Sequence, residues 1–158
     1  MMTLTHQTYH REVQLGASRR RLEDAQTLLQ ERRWIGAMYL GGYAVECALV
    51  ALICYQESTT DFRETRAFKS GIRGTEIHKL SKLIGADTLR RVKNAITLDR
   101  TDELKTAWDL VAGRWQYNKL RYCDKVGIGD QAAAQQLAKD FIAAVGRIQS
   151  FLLREQGE

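Results

Sequence analysis

The sequence predicts an all-α protein, folded as an antiparallel up-and-down bundle of four long helices with one or two short inserted helices. None of the 158 residues is proline, a residue that the interior of a long helix does not tolerate. Hydrophobic residues make up 44% of the chain and recur at steps of three and four over several long segments. We therefore expect a single domain over residues 1–158, with its core at about 10–155.

The first helix is predicted from about Arg11 to Arg33. Its core-facing stripe consists of Leu15, Ser18, Leu22, Ala25 and Leu29. The opposite face is charged and includes the basic run at residues 19–21. A face of this kind is either a solvated surface or a phosphate contact, and the sequence leaves both interpretations open.

The second helix is predicted over residues 34–55, a segment that is long and apolar enough to be considered as a membrane span. Glu46 lies near its centre, where a charge is costly in lipid, so we expect a helix buried in the middle of the bundle and no membrane. One face carries a stripe of small residues, namely Ala37, Gly41, Ala44, Ala48 and Ala51. The adjacent Gly41 and Gly42 lower helix propensity, which predicts close contact with another backbone at that point.

The middle of the chain is predicted to contain the short helices. Residues 56–74 are polar and read as an exposed loop with one helical turn near residues 62–68. Thr75 is the predicted N-cap of a short helix over residues 76–84, and Asp87 is the predicted N-cap of the next one.

The remaining two long helices follow. Thr101 is the predicted N-cap of the first, whose buried stripe consists of Leu104, Trp108, Val111 and Trp115. A turn is predicted at residues 124–129, and Asp130 is expected to cap the last helix. The buried stripe of that helix consists of Leu137, Phe141, Ala144, Ile148 and Phe151.

The charge and cysteine usage narrow the class of protein. The net charge is +5 and the isoelectric point about 9.2, which favours an anionic partner such as RNA, DNA or a nucleotide, although an incidentally basic surface is the alternative. Cys47 and Cys54 lie about 10 Å apart along one predicted helix, too far for a disulfide. Residues 1–11 are polar, so we expect no signal peptide there. We therefore expect a cytoplasmic protein with reduced, buried thiols.

The sequence does not predict a bound metal or cofactor. The histidines, His6, His10 and His78, form no cluster with zinc-ligand spacing. The chain also contains no P-loop, Rossmann or nucleophile-elbow motif.

Glu46 is the most informative charge. It shares a helix face with Tyr39 and Tyr43, and a buried carboxylate must be paired, hydrogen-bonded or protonated. We expect Glu46 and Tyr43 to be buried polar residues with a structural role, and Glu46 to form an ion pair with an arginine. A catalytic role for Glu46 is the alternative.

Residues 114–122 combine cations with aromatic side chains. Cations contact phosphates and aromatic faces stack bases, so Arg114, Lys119 and Arg121 are predicted phosphate contacts. The predicted stacking residues are Trp115, Tyr117 and Tyr122, at least one of which we expect in the core. The alternative is that Trp115 and Leu120 are simply core residues and that the cations are solvated.

Three stretches resemble the HEPN (higher eukaryote and prokaryote nucleotide-binding) family. Residues 40–49, Leu-Gly-Gly-Tyr-Ala-Val-Glu-Cys-Ala-Leu, followed by residues 50–53, resemble the signature second helix of that family. His78-Lys79-Leu80 resembles the short His-x-Leu helix that follows the signature helix. Arg121-Tyr122 resembles the Arg-Tyr pair that ends the conserved block of sequence in one branch of the HEPN family. The resemblance covers about residues 10–155 and implies a helical bundle that usually dimerises.

The resemblance also implies a choice of activities. Many HEPN proteins are metal-independent ribonucleases, including toxins of toxin–antitoxin pairs, in which four to six residues separate an Arg from a following His near the start of a late helix. Here Arg114 stands in that region, but Lys119 occupies the place of the histidine and is a poor general base. Arg73 and His78 have the spacing but lie at the junction of the loop and the short helix, so they are weak catalytic candidates.

Three hypotheses follow. The first is a nucleotide- or RNA-binding, HEPN-like homodimer whose phosphate site is formed by Arg114, Lys119, Arg121 and Tyr122. The second is a metal-independent ribonuclease that uses His78 for proton transfer and Arg73 to hold the phosphate. The third is a non-catalytic helical module that docks a nucleotidyltransferase or an antitoxin.

Overall fold

The structure is a computed structural model, and it describes residues 7–122 and 131–158, with the side chains of Arg121 and Tyr122 outside the described part. The all-α class predicted from the sequence is confirmed, because the described residues are mostly helical. They contain a single isolated β-bridge, between His10 and Asp61, and no β-strand. The helices are α1 (Arg11–Gln30), α2 (Trp34–Gln56), α3 (Arg66–Lys69), α4 (Leu80–Ile84), α5 (Arg90–Thr97), α6 (Glu103–Arg114), α7 (Tyr117–Tyr122) and α8 (Gln131–Arg154). Three 3-10 turns span Phe62–Glu64, Gly74–His78 and Asp87–Leu89.

Helices α1 and α2 form a tight hairpin. Their connection is only three residues long, with Arg32 in the left-handed region at φ 61°. Across the hairpin, the Ser18 hydroxyl donates to the Ala44 carbonyl oxygen at 2.6 Å. Of the predicted α1 stripe, Leu15, Ser18 and Ala25 are buried, and the other two positions are half-buried. The spacing of apolar residues therefore identified the face of α1 that packs on α2.

Helix α2 is the centre of the fold, as predicted. Its small-residue stripe is buried throughout, and α8 runs beside it in the same direction. Three contacts establish this direction. The Trp34 indole N–H donates to Gln131 at 3.0 Å, a Cβ at Gly41 would lie 2.8 Å from Ile142, and the Gln156 amide reaches the Ala48 carbonyl at 3.4 Å.

Helix α6 packs on α8, and one detail of its start differs from the prediction. Val111 is buried without measurable exposure, as the predicted stripe requires. Thr101 is not the N-cap, because Asp102 precedes the helix in a left-handed conformation. The Asp99 carboxylate caps the helix instead, and it accepts a hydrogen bond from the Leu104 amide at 2.8 Å. The acidic side chains of Asp99 and of Glu103, in the first turn of the helix, suit the helix dipole.

The connection between α2 and α6 contains more helix than the sequence predicted. Instead of a loop with one turn, the segment after α2 holds Phe62–Glu64 and α3, which is capped by the Thr65 hydroxyl. The single helix predicted over residues 76–84 is wrong. It is divided by Lys79, whose backbone is extended and separates the 3-10 turn Gly74–His78 from α4. Thr75 lies inside that turn and caps nothing, while the predicted turn at 124–129 and the cap at Asp130 lie outside the described residues.

One described helix, α2, is long and apolar enough to cross a membrane by length and composition alone. Of its most apolar 18-residue window, 83% is buried inside the protein, against α1 and α8 above all. This burial is the arrangement expected of a central core helix.

Candidate functional site

Glu46, in the middle of α2, is hydrogen-bonded to His78. The residue Glu46 is 6% exposed, and its Oε1 lies 2.7 Å from Nδ1 of His78. The His78 side chain itself is 31% exposed, so the imidazole connects the buried carboxylate with the surface. The arginine partner expected from the sequence is wrong, because the described partner of this carboxylate is a histidine.

His78 is held in place by the apolar residues beside it. It ends the 3-10 turn Gly74–His78, and Lys79 then turns the chain into α4. Ile77 and Leu80, on either side, are 6% and 4% exposed and anchor this stretch in the core. With its neighbours buried, the His78 backbone cannot move away from α2 without exposing them to water.

The Glu46–His78 contact is a proton-sharing pair. Burial raises the pKa of the Glu46 carboxyl, and the hydrogen bond and charge of His78 oppose that rise only in part. When Glu46 is ionised, Nδ1 of His78 donates the hydrogen bond, and when Glu46 is protonated, the carboxyl donates to Nδ1. In either state one proton lies between two groups, and the carboxylate fixes the orientation of the ring.

Three aromatic rings surround this pair, and we call the set of Tyr43, Glu46, His78, Trp115 and Tyr117 the His78 cluster. The Tyr43 ring meets His78 edge to face at a centroid distance of 5.7 Å and meets Trp115 at 5.0 Å. Tyr117 lies 4.6 Å from the His78 ring in a tilted arrangement. These distances are typical of favourable aromatic pairs. Both Tyr43 and Tyr117 are half-buried, so Tyr43 is less buried than the sequence predicted.

Trp115 is the buried support of the cluster. It is 5% exposed, and its indole N–H donates to the Tyr39 carbonyl oxygen at 3.0 Å. The ring lies directly against Gly42, where an added Cβ would overlap the indole nitrogen. The close contact that Gly41 and Gly42 predicted is therefore present, but side chains make it rather than another backbone. Of the predicted stacking residues, Trp115 is the core residue, and Tyr117 is the accessible one.

The predicted phosphate contacts lie on the two elements that flank the cluster. Arg114 ends α6 and Lys119 belongs to α7, and both side chains are exposed. Arg121 and Tyr122 end α7, but their side chains lie outside the described part of the structure. Lys79, which the sequence interpretation did not single out, is exposed beside His78 and pairs with Glu76 at 2.7 Å.

The weak catalytic candidates Arg73 and His78 lie at the two ends of the same 3-10 turn. Arg73 immediately precedes the turn, and its exposed guanidinium lies 6.0 Å from the centre of the Phe68 ring. His78 points instead into the cluster beneath Glu46 and Tyr117. His78 therefore contacts the buried Glu46 carboxylate, and no contact of the Arg73 side chain with that carboxylate is described.

Neither the described cysteines nor a cluster of metal ligands forms a second site in the described part of the chain. Burial raises the pKa of the Cys47 thiol to about 12 and that of the Cys54 thiol to about 11, so both are inert at neutral pH. No group of three possible metal ligands occurs among the described residues. A surface cavity of about 370 Å³ lies at the far end of α2, lined by Tyr55, Arg91 and Glu155 among others, and none of its lining residues belongs to the His78 cluster.

The sequence identified the residues of the cluster without identifying their contacts. The helix pattern indicates Glu46 and Tyr43, the His-x-Leu motif indicates His78, and the aromatic stretch indicates Trp115 and Tyr117. A lone buried carboxylate needs a partner, and this requirement could have connected Glu46 with His78 in the next motif.

Comparisons with protein-family models, with curated proteins and with solved structures find no match to this chain.

Proposed function

We propose that this protein binds nucleotides or single-stranded RNA at the His78 cluster. The observation that carries the proposal is the half-buried Tyr117 ring, which lies 4.6 Å from His78 and is backed by the buried Trp115. Such a ring offers a rigid aromatic face on which an unpaired base can stack. Arg114, Lys119, Arg121 and Tyr122, on the same stretch of chain, are the proposed phosphate contacts.

The HEPN resemblance gives this proposal further support. The family motif in α2 contributes Tyr43 and Glu46, and the His-x-Leu motif contributes His78, which is hydrogen-bonded to Glu46. The third motif ends α7, the helix that starts with Tyr117 beside His78. Two stretches that are distant in sequence thus meet at the Glu46–His78 hydrogen bond, and the third lies on the helix that begins beside them. We extend the proposal to a HEPN-like antiparallel bundle of α1, α2, α6 and α8, to a cytoplasmic homodimer and to a nucleotidyltransferase or antitoxin partner.

A matched pair of tyrosine variants tests the binding proposal. Stacking of one base contributes about 1–3 kcal/mol, so Tyr117→Leu should weaken binding of a labelled RNA of about ten uridines by about 5- to 150-fold at low salt. Tyr55→Leu is the control, because Tyr55 is 46% exposed at the far end of α2. Fluorescence anisotropy at several salt concentrations measures the affinity of each variant. The logarithm of the association constant should fall linearly with the logarithm of the salt concentration. Absence of binding at low salt, or equal affinities of the two variants, contradicts the proposal.

A second candidate function is a metal-independent ribonuclease, and the Glu46–His78 hydrogen bond is the observation that favours it. A carboxylate-oriented imidazole is suited to general acid–base catalysis. His78 would accept the proton of the RNA 2′-hydroxyl as that oxygen bonds to the adjacent phosphorus. The bond from phosphorus to the 5′-oxygen would then break, and the 5′-oxygen would take its proton from solvent water. Arg73 would hold the phosphate.

Cleavage assays test this second candidate. We expect RNA cleavage to persist with a chelator present, to stop when the 2′-hydroxyls of the substrate are removed and to fall by about 100-fold or more in His78→Gln. His10→Gln is the control, because His10 contacts Asp61 at the start of α1 instead of the cluster. Equal cleavage by the two histidine variants would exclude this role for His78.

A further inference from the structure

We infer that His78 contacts the phosphate of the ligand as an imidazolium and that nucleotide or RNA binding therefore takes up a proton at the Glu46–His78 pair. This inference rests on the binding function proposed above and assigns a phosphate contact that the sequence did not. It follows from three features, which are the 2.7 Å hydrogen bond, the depth of Glu46 and the exposure of the His78 ring.

A neutral imidazole keeps one N–H, and the titratable protons beyond it set the charge of the pair. With one titratable proton the pair is neutral overall, whether that proton is on the imidazole or on the carboxyl. With none it carries a full negative charge on the Glu46 carboxylate, which is 6% exposed and weakly screened by water. A phosphate at the surface of the ring would be repelled by this negative pair and attracted by an imidazolium that balances the carboxylate behind it.

The described groups around the pair do not supply the positive charge that an imidazolium would present to a phosphate. From α2, the neighbours are the phenols of Tyr39 and Tyr43, and from α7 the neighbour is the phenol of Tyr117, all of which are neutral near pH 7. Lys79 belongs to the same chain segment as His78, but it is paired with Glu76 at 2.7 Å.

Three further cations lie on the flanking elements, Lys82 on α4, Lys119 on α7 and Arg114 at the end of α6, and all three are exposed. Lysine and arginine side chains in water keep their charge over the range in which histidine titrates, so cations of this kind add a constant positive background. The proton of the Glu46–His78 pair is therefore the described charge that changes over this range and could act on a phosphate at the ring.

Proton uptake has a measurable consequence for affinity. A ligand that binds the one-proton state more tightly loses affinity as pH rises, by up to tenfold per pH unit where the free protein has lost the proton and the complex has kept it. The loss ends when the complex also releases its proton. RNA without a terminal phosphate is the suitable probe, because its phosphodiesters do not titrate in this range.

Calorimetry on the wild-type protein tests the inference without any variant. An RNA of about ten uridines lacking terminal phosphates is titrated in PIPES and in Tris between about pH 6 and 8, where histidine titrates. The difference in binding enthalpy between the buffers counts the protons exchanged. We expect uptake that approaches one proton per site on the alkaline side and affinity that falls with pH. Binding with no proton exchange and no pH dependence overturns the inference but leaves the binding function standing, whereas no binding at any pH overturns both.

Three variants assign the proton to the pair. Glu46→Gln makes the unprotonated pair neutral, so the loss of affinity at high pH should become smaller. In the Glu46→Gln background, His78→Gln removes the remaining titrating group of the pair, so the residual binding should be independent of pH. His10→Gln should keep the wild-type pH dependence. If the double variant keeps that dependence as well, the Glu46–His78 pair is not the group that takes up the proton.

Discussion

Trp115 packs against α2 because residue 42 has no side chain. The indole nitrogen would overlap a Cβ at Gly42, and the same nitrogen donates to the Tyr39 carbonyl one turn earlier. Glycine is unfavourable inside a helix by about 0.5–1 kcal/mol relative to alanine. Here that cost is offset by the packing of a large aromatic ring, which in turn supports Tyr43 and Tyr117.

A glycine-to-alanine pair tests this dependence. Gly42→Ala forces Trp115 out of its position, so the free energy of unfolding should fall by about 1–3 kcal/mol, and RNA binding should weaken with it. Gly146→Ala is the control, since a Cβ there meets nothing within 4 Å. It should leave stability unchanged or raise it by about 0.5–1 kcal/mol. Urea unfolding measures both, and a Gly42→Ala protein as stable as Gly146→Ala would show that Trp115 does not need the glycine.

The packing and burial of single residues were predictable from local rules. The identity of a contact partner that is distant in sequence was not. The cost of adjacent glycines correctly predicted close packing at α2, but nothing in the sequence indicated that the packing partner was Trp115, about 70 positions later. The burial of Glu46 followed from the helix pattern. Its partner did not, because an arginine and a histidine can satisfy the same carboxylate and only the fold selects between them.

At the scale of elements, Asp61 joins the end of α2 to the start of α1. Its carboxylate accepts hydrogen bonds from the Arg63 amide at 2.9 Å and from the Arg63 guanidinium at 2.7 Å, and it lies 3.7 Å from His10. Beside it, the Phe62 amide donates to the Tyr9 carbonyl and forms part of the isolated bridge. The hydrogen bonds from Arg63 hold the pKa of the Asp61 carboxyl below its usual range.

The direction of that pKa shift fixes how stability depends on pH. A carboxyl whose folded pKa is lowered contributes stability above its unfolded pKa of about 4 and loses it as pH falls through the folded value. Asp61→Asn should therefore lower the free energy of unfolding by about 1–3 kcal/mol at pH 7, and the difference from wild type should shrink below about pH 4. Asp87→Asn is the control, because that side chain is 95% exposed and should change stability by less than about 0.5 kcal/mol. Asp61→Asn and Asp87→Asn proteins of equal stability at pH 7 would contradict the linking role of Asp61.

The long helices were predictable from sequence and the short ones were not. Helices α1, α2 and α8 have several turns of regular apolar spacing, and the predicted bounds of α1 and α2 agree with the structure to within three residues. The segment predicted as one helix over residues 76–84 has too few residues for spacing to decide. Its conformation is fixed by tertiary contact, since His78 must reach Glu46 while Ile77 and Leu80 stay buried.

At the scale of the whole molecule, the composition of α2 is consistent with two environments. A helix that is apolar on most sides suits either a membrane or the centre of a helical protein, and hydropathy cannot distinguish them. The surrounding helices supply the distinction, since α1 and α8 each bury an apolar stripe against α2 and keep charged residues outside. Without α2 as a core, those stripes would face water.

A thiol-protection experiment tests α2 as a core helix. Cys47 is 8% exposed and Cys54 has no measurable exposure, so in a Cys123→Ser background both thiols should resist a water-soluble maleimide until the protein unfolds. The protein should remain in the supernatant after ultracentrifugation without detergent, and both thiols should become reactive at the urea concentration where helical circular dichroism is lost. For a core helix, exposure of the thiols and loss of helical structure should occur at the same urea concentration, because burial of the helix depends on cooperative packing. A helix held in lipid would instead sediment with membranes and keep its thiols protected after the other helices had unfolded.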